Sequence, residues 1–193
     1  MIPVLTFHAL DESSSYLSVP PRVFARGLEH LHERGWRTLS LGEIATRLEA
    51  GKPLPERALA ITFDDGFRSV RTEGLPVLRA MGYTATLFPA LGADDPAETM
   101  LPMDERPMLT WSQARELCDA GWEIGAHSRT HPDLTRLPSE RVEAEMRDSR
   151  AVLEDRLGVR VSSFAYPFGR HDPRTSAASK TRVPLPTSRI GGL

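Results

Sequence analysis

The stretch Leu59-Ala60-Ile61-Thr62-Phe63-Asp64-Asp65-Gly66-Phe67 runs from apolar residues straight into two adjacent carboxylates and a glycine. It reads as a buried strand that leaves its sheet through an Asp-Gly turn. One acid would suffice for that turn. Two acids facing one pocket without a cation would repel each other, raise one pKa and cost stability. Either the pair decorates a solvated turn that caps the next helix, or its two carboxylates are used differently.

On both sides of this strand, short apolar runs alternate with amphipathic stretches, the βαβα order of a mostly parallel sheet or barrel. Strands are expected near residues 3–8, 36–40, 58–63, 84–89, 122–126 and 161–166, and helices near 21–34, 42–50, 70–81, 112–120 and 139–157. Thr110-Trp111-Ser112-Gln113 has capping-box spacing, Gly121 sits where a helix C-cap belongs, and Gly158 stops the last helix. Within residues 139–157, Val142, Met146, Val152, Leu153 and Leu157 fall toward one side, with Glu143 and Arg147 as an i,i+4 pair on another. The segment from Gly92 to Pro107 is a long polar loop of the kind that is functional or mobile in compact domains.

At 193 residues the chain suits one domain, or an unusually short α/β barrel. Residues 1–170 are expected to form it, with 171–193, rich in Arg, Ser, Thr and Pro, as a shortened or disordered tail. A net charge of -2 gives no global field toward nucleic acid or an anionic membrane. The single Cys118 cannot form an intramolecular disulfide and reads as a small core residue. No apolar run reaches spanning length, so no membrane span is expected. Met1 to Phe7 lacks the layout of a signal peptide, so the chain as written is cytoplasmic or is numbered without an export segment.

The polar residues fall into a pattern on this strand map. His8 follows the first strand, Asp64 and Asp65 the third, His127 the fifth, and Tyr166-Pro167-Phe168-Gly169 the sixth. In parallel α/β folds the carboxyl ends of strands share one face, and active sites are built there. His127 and His131 are four apart, so one helical turn would place both imidazoles on one side, although Pro132 argues against a long helix. A lone pair of this kind is often core or capping histidine; with an Asp pair on the same face it becomes the donor set of a catalytic zinc site. His8 alone reads first as a hydrogen-bonded histidine at a strand end.

These residues resemble the polysaccharide deacetylase family, also called the NodB-homology domain or carbohydrate esterase family 4. Thr62-Phe63-Asp64-Asp65-Gly66 is similar to its first motif, His127-Ser128-Arg129-Thr130-His131 to its second, and Phe164-Ala165-Tyr166-Pro167-Phe168-Gly169 to its third. The resemblance implies a distorted, incomplete (β/α) barrel. It also implies a divalent metal, usually Zn2+, on Asp65, His127 and His131, with Asp64 as catalytic base. Tyr166, Pro167, Phe168 and Gly169 would line the substrate, the backbone N–H of Phe168 holding the oxyanion. Two departures stand out: Ala165 replaces the arginine that orients the base in many members, and His171 lies too close to the third motif to be their C-terminal acid.

The permuted poly-N-acetylglucosamine deacetylase subgroup (PgaB/IcaB-like) accounts for both departures. Its acid histidine lies in an N-terminal Tyr-His motif, which Pro3-Val4-Leu5-Thr6-Phe7-His8 resembles with phenylalanine for tyrosine, and its third motif reads Ala-Tyr-Pro-x-Gly. His8 is then the general acid, and Arg189-Ile190 resembles the subgroup's closing segment. The resemblance implies a hydrolase acting on an N-acetylated polysaccharide or oligosaccharide, releasing acetate; the family is typically exported or associated with the cell envelope. Two rivals remain: a carbohydrate-binding module impaired by its short C-terminus, and a metal amidase acting on a small amide.

Overall fold

The computed structural model describes residues 2–91 and 100–180. In chain order the elements are β1 (Val4–Phe7), α1 (Pro21–Glu33), β2 (Arg37–Thr38), α2 (Leu41–Glu49), β3 (Ala58–Asp65), α3 (Leu75–Ala80), β4 (Thr86–Pro89), α4 (Trp111–Asp119), β5 (Glu123–Ile124), α5 (Ser139–Leu157) and α6 (Pro173–Lys180). A wide turn, Val70–Gly74, leads into α3. This is the expected α/β class, with a parallel sheet and helical crossovers.

β3 is the spine of the sheet. It pairs in parallel with β1, Phe7 beside Phe63, and with β4, Asp65 beside Pro89; β4 in turn pairs with β5, Leu87 beside Ile124. β2 joins the start of β3, Arg37 beside Ala58. Every ladder is parallel, so the carboxyl ends open on one edge.

The sequence of β3 follows from that position. Leu59, Ile61 and Phe63 enter the main core, while Ala58 and Ala60 enter a second cluster with Leu39 and Ile44. A strand covered on both faces takes apolar residues at nearly every position, and the one polar exception before the acids, Thr62, donates its hydroxyl to Thr6 Oγ1. Phe63 stacks on Trp122 with centroids 5.3 Å apart, and Phe7 meets Phe24 edge to face at 5.0 Å. The last apolar side chain before the paired acids is therefore clamped by aromatic neighbours, which limits the freedom of the backbone that carries them.

Local chemistry ends the helices largely as expected. Thr110 accepts from the backbone N–H of Gln113 while the Gln113 side chain accepts from Thr110, completing the capping box. Gly158 caps α5. The expected Glu143–Arg147 pair is replaced by Arg147 donating to Asp148, 2.8 Å away. Cys118 is half-buried against the main core.

Three further differences matter. The expected sixth strand shrinks to one parallel bridge, Ala126 with Phe164, held by Ala126 N–H to Ser163 O and Ala165 N–H to Ala126 O. With β5 only two residues long, there is no longer ladder for it to extend. Residues 173–180 form α6 inside the stretch expected as tail; Arg174 donates to the carbonyls of Leu137 and Thr135. Arg189-Ile190 lies outside the described residues, as do 92–99 of the expected long loop. The rest of that loop is tied down: Met100 is buried, Leu101 donates to Ala90, and Arg106 binds Asp104, Asp11 and Ser18 beneath its contact with the Phe67 ring. Among the described residues, no helix is long and apolar enough to cross a membrane.

Candidate active site

The open edge of the sheet gathers the motif residues. Asp64 and Asp65 are the last two residues of β3, beside Phe88 and Pro89 of β4. His8 follows Phe7 and is partly buried; a positive charge there lowers the pKa of both Asp64 and Asp65. His127 follows the bridge at Ala126 and is 2% exposed. Gly125, just before it, is required by close packing: a Cβ there would lie 2.1 Å from Phe88 Cε1 and 2.5 Å from Ser163 Oγ.

Asp65, His127 and His131 converge. Asp65 Oδ1 lies 3.5 Å from His127 Nε2 and 3.4 Å from His131 Nε2, and the two Nε2 atoms are 3.2 Å apart. Asp65 is 3% exposed, and its Oδ1 has no hydrogen bond of normal length. His127 Nδ1–H donates to the carbonyl oxygen of Ala165 at 2.9 Å, which leaves the Nε2 lone pair aimed at Asp65. One carboxylate oxygen and two imidazole nitrogens directed at one point, with the oxygen otherwise orphaned, fit a divalent cation.

The two histidines do not meet on a helical turn, contrary to the sequence expectation. Ser128 and His131 adopt φ of 64° and 55°, so residues 127–131 form a reversed loop. Ser128 Oγ accepts from the N–H of His131 at 3.1 Å. Glu145 of α5 accepts from the N–H groups of Arg129 and Thr130 and from the Thr130 hydroxyl, each at 2.8 Å. Glu145 escaped the sequence reading, although a signal existed. It lies on the stripe Val142, Ser149, Leu153 and Leu157 that α5 buries, where an acid has no place unless something bonds it.

The third motif is a tight turn across the same edge. Pro167 is buried, Phe168 has φ 59°, and Gly169 N–H donates to Tyr166 O. Phe168 is 61% exposed, its ring edge to face with His131 at 4.8 Å. Tyr166 donates to Ser179 Oγ of α6 at 2.7 Å and stacks on His171. Arg170 donates to Asp133 at 2.7 Å, linking this turn to the segment after His131.

The electrostatics separate the two carboxyls. Burial pushes Asp65 up, but the imidazoles of His127 and His131, 3.5 and 3.4 Å away, and the charge of His8 outweigh it, so it lies well below 3.8. Asp64 is pushed above 3.8 by burial first; the charges of His127, His8 and His131 oppose the rise and that of Asp65 adds to it. A cation held by Asp65 would further favour ionised Asp64.

The polysaccharide deacetylase sequence profile matches residues 51–184, well over half of the chain. The Escherichia coli (strain K12) poly-beta-1,6-N-acetyl-D-glucosamine N-deacetylase is 30% identical over 134 residues, covering 64% of this chain and 20% of that protein. Among solved structures, the Streptococcus pyogenes deacetylase PplD in complex with acetate aligns with TM-score 0.82 and 26% identity over 93% of this chain and 79% of that one. IcaB from Ammonifex degensii aligns with TM-score 0.81 and 25% identity over 94% and 80%. The chain spans less than two thirds of the length of the curated relatives it matches.

Proposed function

The chain belongs to the polysaccharide deacetylase family, and on that premise we propose that it is a metal-dependent hydrolase removing N-acetyl groups from N-acetylglucosamine units of a polysaccharide, releasing acetate. The observation that carries the proposal is the convergence of Asp65 Oδ1, His127 Nε2 and His131 Nε2 beside a second carboxyl, Asp64. These three residues would hold the cation, most simply Zn2+ given two imidazoles and one carboxylate. When bound, the cation supplies Lewis acidity to an acetamide carbonyl and to the attacking water.

The chain's own residues supply the rest. Asp64 takes a proton from the attacking water as general base. His8, on the neighbouring strand end, gives a proton to the departing amine as general acid. The N–H of Phe168, in the turn packed on His131, stabilises the developing oxyanion, and Tyr166, Pro167 and Gly169 shape that turn. The Escherichia coli relative, a poly-beta-1,6-N-acetyl-D-glucosamine N-deacetylase, supports N-acetylglucosamine polymers as the substrate class.

Acetate release from a panel of N-acetylglucosamine oligomers, with chelator and with zinc restored, tests this reading. Release that the chelator stops and zinc restores is expected. No release with zinc present would sink the hydrolase reading, and retained oligomer binding would then make the chain a binding module.

A further inference from the structure

We propose that Glu145 is a positioning residue for the metal-binding loop: from α5 its carboxylate sets the path of Arg129 and Thr130, and so decides where His131 stands relative to His127 and Asp65. This inference rests on the reading of those three residues as a metal centre. Glu145 is not one of the converging donors and would act only through them.

Three hydrogen bonds carry the inference. Oε2 accepts the N–H groups of Arg129 and Thr130, and Oε1 accepts the Thr130 hydroxyl, all at 2.8 Å. Both bonded residues lie between the two histidines. Because Ser128 and His131 have positive φ, the loop is not helical and its middle N–H groups need an acceptor from elsewhere. The acceptor is 4% exposed, on a helix stripe otherwise made of Val142, Ser149, Leu153 and Leu157. An apolar residue would pack there at lower desolvation cost, so a carboxylate is warranted by what it holds. At the far end of the loop the Ser128 hydroxyl accepts the N–H of His131, at 3.1 Å. Glu145 fixes the middle of the loop and Ser128 its closure, and the two imidazoles are left one way to face each other.

The test compares parent and Glu145→Gln for zinc affinity by chelator competition, for the visible spectrum of the cobalt-loaded protein, and for denaturant unfolding of the metal-free protein. Glutamine keeps the volume but removes the charge, so its single oxygen is a weaker acceptor for the Arg129 and Thr130 N–H groups and its NH2 can no longer accept from the Thr130 hydroxyl. Zinc affinity is expected to fall by about 10- to 100-fold, as for groups that orient metal ligands, and the cobalt bands to shift. A purely structural Glu145 would lower metal-free stability while the folded variant kept parental affinity and spectrum; that result overturns the proposal. Thr130→Val removes the hydroxyl donor alone and should move affinity in the same direction by less. It is read the same way if Glu145→Gln does not fold, and parental affinity and spectrum in it then overturn the proposal. A parent protein that binds neither zinc nor cobalt would instead overturn the metal reading itself.

Discussion

The imidazole of His127 donates from Nδ1 to the carbonyl oxygen of Ala165 at 2.9 Å, so the third motif sets the tautomer of a ring that the second motif supplies. Ala165, whose side chain has no polar group, thus contributes its backbone to the site. The ring is turned so that its other nitrogen meets His131 and Asp65.

Removing the partner of that nitrogen should release the metal. His131→Ala is expected to lose bound zinc on dialysis and activity with it, because two donors hold a catalytic metal far less tightly than three. Metal analysis of the dialysed variant checks this. Undiminished zinc would remove His131 from the ligand set.

The paired acids should separate by experiment. Asp64→Asn is expected to keep zinc yet lose about 10²- to 10⁴-fold in kcat, the usual share of a general base. Parallel measurement of metal content and turnover decides it, and full activity would end the base assignment for Asp64.

The pH dependence follows from two opposite shifts. Burial pulls His127 down, but the adjacent carboxylates of Asp65 and Asp64 and the Ala165 carbonyl carry its pKa above 6.5. In metal-free protein the stability this contributes is complete below pH 6.5 and is lost as pH rises through the folded-state value. Asp65, depressed below 3.8, contributes stability present above that pH and lost as pH falls through its folded-state value. A metal must displace the proton on His127, so stabilisation by zinc should grow as pH rises from 6.5. Thermal melts with and without zinc between about pH 5 and 9 measure it; a gap that does not widen contradicts the shift.

Gly125→Ala should destabilise the fold. The added Cβ would fall 2.1 Å from Phe88 Cε1 and 2.5 Å from Ser163 Oγ, so β4 or the bridge at Ala126 must shift. Overpacking of this kind costs about 1–3 kcal/mol, occasionally more. Denaturant unfolding checks it, and a variant as stable as the parent would show that Phe88 yields freely.

Much of this was legible from residues 58–67 outward. An apolar run interrupted only by Thr62 and ending in acids marks a strand covered on both faces, and the order of motifs along the chain matches the order of strand ends on the open edge. The loop between the histidines was not legible. An i,i+4 spacing suits a helix, and nothing local announces that Ser128 and His131 turn left-handed while Glu145, remote in sequence, supplies the missing acceptor. The sixth strand misled for a related reason: Val161 to Tyr166 has strand composition, but a two-residue β5 gives it only the bridge at Phe164. Nor did Pro173 to Lys180 look helical among so many polar residues; contacts with Tyr166, Leu137 and Thr135 hold that helix in place.

Asp65, Ser128, His131 and Phe168 are four of the five non-glycine residues with positive φ among those described, and all four border the proposed metal centre. Each such conformation costs on the order of 1–3 kcal/mol. Heat tolerance and metal grip are therefore rivals at these positions: a change that lets the backbone relax would harden the fold while spoiling the chelate. Selection for a more durable protein has freer scope elsewhere, on the outer helices.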